Sequence, residues 1–210
     1  CLLHIQGYLQ QMIYLQKRAD KELITIDSAM MQNNLVNFVV ETSDIAAHYY
    51  VRIQGMRFPI SFFSENNDVL ISGDFKDDRN IIANGSDAQQ LINDYNAEMK
   101  NFSNQSKELF EKYEIAAKNN DETAIQAIES EYEQVEKNQT TYQNLFLTKN
   151  SNSFVAPYIL YNNRYNYELN ELEDFVNNFN IKEENIYSKL LDEYIAALQR
   201  VDIGQPYLDF

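Results

Sequence analysis

The hydrophobic pattern of this 210-residue chain changes once, at Ser86. Before Ser86, apolar and polar residues alternate in short runs rich in β-branched and aromatic side chains, which is typical of half-buried strands. After it, apolar residues recur every three or four positions, as on one face of a helix. A period of two followed by a period near 3.5 predicts strands followed by helices, and therefore an α+β fold.

Residues 1–85 are expected to form an antiparallel β-sandwich. Turn residues separate the apolar runs at short intervals, and hairpin connections between antiparallel strands need only a few residues. Four of the five glycines also precede Ser86. The runs expected as strands are Leu3–Ile5, Met12–Tyr14, Leu23–Ile26, Val36–Val40, Tyr49–Ile53, Ile60–Phe62 and Val69–Ile71.

Residues 86–200 are expected to form an α-helical domain. Ser86-Asp87-Ala88-Gln89 has the form of a capping box, in which serine accepts a hydrogen bond from an amide and glutamine reaches back. Asn119–Asp121 supplies turn and N-cap residues between two apolar stripes, which predicts a long antiparallel helical hairpin. The stripes are Tyr95, Met99, Phe102, Ser106, Leu109, Tyr113, Ala116 and Ile125, Ile128, Tyr132, Val135, Gln139, Tyr142, Phe146.

Three shorter helices are predicted after the hairpin, over residues 153–165, 169–178 and 183–199. Pro157 must then lie near the start of its helix, where a missing amide costs least. The apolar stripes could instead pair with a second copy and form a homodimer. The polar Ser106 and Gln139 positions favour weaker packing, because a polar residue in a seam fixes register at the expense of stability.

The net charge excludes some classes of partner. With 17 Lys and Arg against 32 Asp and Glu, the chain carries a charge of -15. Such a chain repels phosphate backbones and anionic headgroups, so neither nucleic acid binding nor electrostatic membrane docking is expected. No run of about 18 apolar residues exists that could span a bilayer, so a membrane link would have to be a lipid anchor.

Cys1 is the single cysteine of the chain and a candidate lipid anchor. Signal peptidase leaves a cysteine at the first position of mature bacterial lipoproteins, and the alternative is an ordinary small apolar residue. A lone cysteine excludes an internal disulfide and a Cys-x-x-Cys motif within these 210 residues.

Residues with catalytic or metal-binding chemistry are scarce. His4 and His48 lie in predicted strands without the spacing of metal ligands, so we expect no metal. The glutamates of 129–136 crowd one predicted helix and are expected to form a solvated face. The sequence has no Gly-x-Gly-x-x-Gly, no Walker loop and no Gly-x-Ser-x-Gly elbow, so no catalytic residue and no cofactor is predicted.

Two weaker patterns indicate possible surface sites. Tyr158, Tyr161, Tyr165 and Tyr167 cluster within ten residues, and tyrosine rings suit contacts with peptides or sugars, although packing in the core or between domains is the more common reason for such a cluster. The Asp-Ser-Ala triplet around Ser28 matches the short acceptor of periplasmic O-glycosylation in Bacteroidetes-like bacteria, and a strand end before a turn explains it as well.

The order of several short motifs resembles a known N-terminal domain of unknown function. The motifs are Leu3-His4-Ile5-Gln6-Gly7, Ile13-Tyr14-Leu15, Ile26-Asp27-Ser28, Phe62-Phe63-Ser64-Glu65-Asn66, Val69-Leu70-Ile71-Ser72-Gly73-Asp74, Ile82-Ala83-Asn84-Gly85-Ser86, Asn152–Leu160 and Gly204–Phe210. That domain precedes thioredoxin-like modules in Bacteroidetes thiol-disulfide oxidoreductases. The chain departs from the family at Tyr207-Leu208, where Ala-Pro is usual, and at Asn33-Asn34, where a glycine is usual.

The resemblance implies a non-catalytic accessory region of a periplasmic thiol-disulfide oxidoreductase. Residues 201–210 would then open a thioredoxin-like domain, with a Cys-x-x-Cys some tens of residues beyond Phe210. In such an enzyme one thiolate attacks a substrate disulfide and the second cysteine resolves the mixed disulfide. The implied partners are that downstream domain, client proteins and a second copy of the chain. Two alternatives are a stand-alone envelope lipoprotein that binds a glycan or peptide and a purely structural dimerisation module.

Overall fold

The computed structural model describes residues 2–4, 11–19, 22–33, 35–40, 46–65, 67–73, 81–180 and 185–201, with the backbone alone at 2–4 and 201. Eight strands precede five helices along the described chain, which confirms the α+β prediction. Residues 202–210, expected to open a further domain, lie outside the described residues, as does Cys1.

The strands form two four-stranded sheets. The first has the order β4-β1-β7-β8, with bounds β1 Leu2–His4, β4 Leu35–Asn37, β7 Leu70–Ser72 and β8 Ile82–Asn84. The second has the order β3-β2-β5-β6, with bounds β2 Met12–Ala19, β3 Glu22–Met30, β5 Ala47–Ile53 and β6 Ile60–Ser64. Neighbouring strands are antiparallel except β1 and β7, which pair parallel.

Strand alternation lets β5 bury both of its faces. Tyr49, Val51 and Ile53 belong to a buried cluster that also contains Val36 and Ile71 from the other sheet. Side chains of successive strand residues point to opposite faces, so His48 and Tyr50 lie on the other side of the sheet. A common core between the two sheets is thereby established, while the sandwich arrangement itself stays a prediction.

The helical part begins with the predicted hairpin. Helix α1 spans Asp87–Lys118 and α2 spans Glu122–Lys149, joined by a short turn in which Asn120 has a φ of 53°. Asp121 caps α2 by accepting a hydrogen bond from the amide of Ala124. At 1.5 Å per residue the 32-residue α1 is about 48 Å long.

Three shorter helices follow at the base of the hairpin: α3 Val155–Asn163, α4 Leu169–Asn178 and α5 Ile186–Val201. A turn of 3-10 helix, Arg164–Asn166, continues α3. The three predicted helices are thus present: α4 has the predicted bounds, and the ends of α3 and α5 are shifted by two or three residues. Pro157 lies in the first turn of α3, as expected, where its missing amide leaves no helical hydrogen bond unmade.

The capping box at the start of α1 is half correct. Ser86 accepts a hydrogen bond from the amide of Gln89, as predicted. The Gln89 side chain does not reach back, however, because its Oε1 accepts a hydrogen bond from the amide of Phe63 in β6. Tertiary contact therefore replaces the local half of the motif.

The helices and the second sheet share one buried cluster. Phe63 of β6 packs in it with Phe154, Leu160, Leu191 and other side chains of α1 to α5. A second, smaller cluster of Phe102, Leu109 and Val135 holds the outer part of the hairpin together. The hairpin therefore has a firmly packed base and an outer arm whose described packing is between its own two helices.

Candidate functional site

A buried group of rings joins β5 to the helices. The imidazole of His48, which is 3% exposed, stacks on the ring of Phe63 with centroids 4.4 Å apart and an interplanar angle of 11°. The ring of Tyr158 from α3 meets the imidazole edge-to-face, with centroids 4.8 Å apart. The ring centroid of Tyr187 from α5 lies 5.7 Å from that of the imidazole. Alternation along β5 directs His48 to this face because Tyr49 beside it points into the core between the sheets.

Hydrogen bonds link the polar atoms of this group. Nδ1 of His48 and the hydroxyl of Tyr187 are 2.5 Å apart, and the hydroxyl of Tyr50 lies 3.2 Å from each. Nε2 of His48 and Nε of Arg18 are buried without a hydrogen-bond partner among the described residues. One nitrogen of the imidazole is therefore tied to α5 and Tyr50, and the other is buried.

Burial determines the electrostatics of this group. It lowers the pKa of His48 from 6.5 to about 3, and the charge of Arg18 acts in the same direction. Burial likewise raises the pKa of Tyr187 and of Tyr158 above the ordinary value of 10. His48 is therefore neutral at physiological pH and acts as a hydrogen-bonding joint between sheet and helix, since proton transfer at neutral pH needs a pKa near 7.

A second joint connects α1 to the exposed edges of both sheets. Ser86 donates a hydrogen bond to the carbonyl of Phe63, 2.8 Å away, and Gln89 accepts one from its amide at 2.7 Å. Nε2 of Gln89 also donates to Oδ1 of Asn93, whose Nδ2 donates to the carbonyl of Ala83 in β8. Because β6 and β8 are edge strands, α1 satisfies backbone groups that those edges would otherwise leave open.

The outer arm of the hairpin carries an apolar groove. Its volume is about 400 Å³, and its walls are Leu109, Phe110 and Tyr113 of α1 with Ile128, Glu129, Tyr132 and Glu133 of α2. Phe110 is 59% exposed and Tyr132 is 40% exposed. The predicted seam therefore opens near the tip: Tyr113 and Tyr132, expected to pack inside it, lie at the surface instead.

The four clustered tyrosines point to different places. Tyr158 contacts His48 and Tyr187, and Tyr161 lies 5.8 Å from the ring of Tyr187. Tyr167 donates a hydrogen bond to Asn144 of α2 and accepts one from Gln143. Tyr165 is 71% exposed, with the guanidinium of Arg164 4.2 Å from its ring centroid. The structure does not bring the four rings to one surface, and a binding role for them stays a prediction.

The other sequence-predicted sites are distributed as follows. Ser28 is exposed on the edge strand β3, where its amide donates a hydrogen bond to Asp27. Its glycosylation stays a prediction, as does the lipid anchor at Cys1, which lies outside the described residues. The backbone of His4 pairs in β1. Glu129, Glu131, Glu133 and Glu136 are exposed on α2.

The described residues contain no group of three or more histidine, cysteine, aspartate or glutamate side chains placed to bind a metal ion. None of the described helices is long and apolar enough to cross a membrane. A scan against protein-family models found no match, and searches of curated proteins and of solved structures found none either.

Reasoning from sequence missed the two joints and the groove. His48 and Tyr187 are 139 residues apart, and neither carries a local pattern that points to the other. Gln89 was interpreted as a local cap. Phe110 had a usable signal, because an aromatic residue next to the seam position Leu109 falls outside the apolar stripe and is therefore expected at the surface.

Proposed function

We propose that this chain is the non-catalytic accessory region of a thiol-disulfide oxidoreductase, a scaffold that presents client proteins to a redox module. The observation that supports the scaffold is the apolar groove on a long arm with a firmly packed base. Exposed apolar patches rimmed by polar residues mark protein interaction sites. The proposal that the redox module belongs to a thiol-disulfide oxidoreductase rests on the resemblance of the ordered sequence motifs to that family.

Rigidity at the base supports the same proposal. The Gln89 joint ties α1, the first helix of the hairpin, to the second sheet, and the His48 joint ties α5 to the same sheet at a separate point. A buried hydrogen-bonded network specifies one geometry, because each unmade bond in it costs free energy. An arm held in this way can keep a bound client at a constant distance from the rest of the protein.

The location that accompanies this proposal is the periplasm, since the resemblance is to periplasmic enzymes, with Cys1 as the candidate lipid anchor. The first test is the intact mass of the protein purified from its own source, compared with 24.6 kDa for residues 1–210. The proposal expects a mass larger by a thioredoxin-sized module, with two titratable thiols. A mass near 24.6 kDa would end the oxidoreductase proposal.

The second test addresses client presentation in that same protein. Phe110→Ser with Tyr132→Ser changes the groove at two exposed positions, and Ile115→Ser is a matched control because Ile115 is 62% exposed and lies outside the groove. We expect the double variant to slow the reduction of protein disulfides while a small-molecule disulfide is reduced at the normal rate. Equal rates on both substrates for all variants would contradict client presentation.

A polar groove favours a second candidate function, the binding of an envelope glycan. Its volume is about 600 Å³, and it lies between α1 and the edge strands β6 and β8. Amide side chains of Asn84, Gln90, Asn93 and Asn96 line it and can hydrogen-bond sugar hydroxyls. Calorimetry with an N-acetylglucosamine oligomer tests this: binding that Asn96→Ala weakens supports it, and the absence of any heat of binding rejects it.

A further inference from the structure

We propose that the apolar groove near the hairpin tip binds a basic amphipathic helix of a partner protein. This inference rests on the proposed interaction function and adds the chemistry of the partner. The groove lies between two antiparallel helices, and such a groove accepts the apolar face of a third helix. An extended strand would gain no main-chain pairing there, because helix surfaces offer no sheet edge.

The apolar walls set the spacing of the anchors on this partner. Phe110 and Tyr113 on one side face Ile128 and Tyr132 on the other, so each wall extends about one helical turn. Two apolar side chains one turn apart on the incoming helix, at positions i and i+3 or i+4, fill this length. Leu109 closes the floor of the groove and is buried.

One wall of the groove is acidic. Glu129 and Glu133 line it, and Glu122 and Glu136 lie seven residues to either side of Glu129 along the same helix. A spacing of seven residues corresponds to nearly two turns, so these side chains share one face. All four are exposed, and none makes an ion pair with another residue in the described part of the chain.

The opposite wall has a different character. The exposed charges Lys107 and Glu111 of α1 compensate each other, with Nζ and Oε1 3.9 Å apart. The α1 lining contains no carboxylate, whereas the α2 lining combines Ile128 and Tyr132 with Glu129 and Glu133. A helix that complements both carries its apolar residues toward α1 and lysine or arginine toward α2.

The same asymmetry argues against a second copy as the occupant. A two-fold symmetric interface uses the same patch of both subunits. It would bring the Glu122, Glu129, Glu133 and Glu136 face of both copies into one interface, in a chain of net charge -15. Like charges at an interface suppress association.

The binding test uses the whole protein and a synthetic helical peptide of about 18 residues, with two leucines one turn apart and lysines along one flank. A second peptide has glutamate in place of each lysine. We expect the basic peptide to bind, with lower affinity at high salt because exposed ion pairs are screened. The acidic peptide should bind more weakly, and equal binding of the two peptides would overturn the proposal.

Matched variants locate the binding site. Glu129→Gln with Glu133→Gln should weaken binding of the basic peptide about fivefold, the loss expected for two exposed ion pairs. Glu108→Gln with Asp192→Asn removes the same charge at two exposed positions outside the groove and should leave the affinity unchanged. Phe110→Ala should weaken binding, whereas Ile115→Ala should not. Equal losses in the test and control variants would overturn the site.

Three further outcomes separate the alternatives. A concentration-dependent dimer in sedimentation that Phe110→Ala dissociates would show that a second copy fills the groove and would overturn this inference. If no peptide binds, yet the groove variants still slow client reduction, this inference fails while the proposed function stands. If the peptide binds with the expected pattern, yet the groove variants do not change client reduction, this inference stands while client presentation fails.

Discussion

Nδ1 of His48 and the hydroxyl of Tyr187 share a hydrogen bond of 2.5 Å across 139 residues of chain. This contact connects the second sheet directly to α5. Tyr50 lies within hydrogen-bond distance of both atoms, so three side chains from one strand and one helix form a closed triangle.

The effects of substituting His48 and Tyr187 on the free energy of unfolding should be coupled, because the two side chains bind each other. Tyr187→Phe keeps the ring and loses the hydroxyl, and we expect a loss of about 1 kcal/mol in the free energy of unfolding. A double-mutant cycle with His48→Phe should give a coupling energy of about 1 kcal/mol in urea denaturation. Tyr165→Phe serves as the control because its hydroxyl accepts only an exposed hydrogen bond, from Arg164, and should change stability by less than about 0.5 kcal/mol. Strict additivity of the two changes would contradict the contact.

The stability of the protein should fall in acid because of His48. Its pKa is 6.5 in an unfolded chain and about 3 in the folded protein. Between these values the unfolded chain binds a proton that the folded protein does not, so the free energy of unfolding decreases as the pH falls. Above pH 6.5 His48 adds no pH dependence.

The His48→Phe variant measures this effect. At pH 4.5 the wild type should have lost about 2–3 kcal/mol through His48 relative to pH 7.5, and the variant should lack this loss. Burial raises the pKa of Glu65, and this shift increases the free energy of unfolding as the pH falls. Both proteins contain Glu65, so its contribution cancels in their difference. Parallel pH profiles for wild type and variant would show that His48 is not buried as a neutral ring.

Gln89 should matter far more than its neighbour Gln90. Gln89→Ala leaves the amide of Phe63 without its partner, and an unsatisfied buried amide costs about 1–3 kcal/mol. Gln90 is exposed and its side chain donates a hydrogen bond to Asp94 in the next turn, so Gln90→Ala should change stability by less than about 0.5 kcal/mol. Hydrogen exchange at the Phe63 amide should accelerate in the first variant only. Similar exchange rates in both would refute the joint between α1 and β6.

Two glycines with positive φ form a second matched pair. Gly85 has a φ of 140°, and a Cβ built there would lie 2.0 Å from the carbonyl oxygen of Asp68. Gly55 has a φ of 94° with open space around it. Gly85→Ala should therefore lower the melting temperature much more than Gly55→Ala, which carries only a conformational cost of about 1–3 kcal/mol. Equal shifts would mean that the backbone at Gly85 moves to accept the methyl group.

Local patterns were sufficient to predict most elements of this fold. Ser86 begins α1 because its hydroxyl satisfies a free amide, and Asn119–Asp121 separates two helices because its residues favour turns and caps. The strand Ile82–Asn84 was not predicted, since three residues before a glycine are too short to show alternation. The seam was predicted correctly at Phe102 and Val135 and was wrong at Tyr113 and Tyr132, where the helices no longer bury an aromatic ring between them.

The order of strands and helices, the hairpin and the net charge of -15 follow from the sequence alone, because they depend on local periodicity, caps and composition. That His48 meets Tyr187, that Gln89 binds Phe63 and that glutamates line one side of the groove at Phe110 could be learned from the folded protein only. Such contacts join side chains whose positions depend on how a whole sheet packs against a whole helix. Since burial, rather than residue type, sets the pKa of His48, its chemistry follows from the fold.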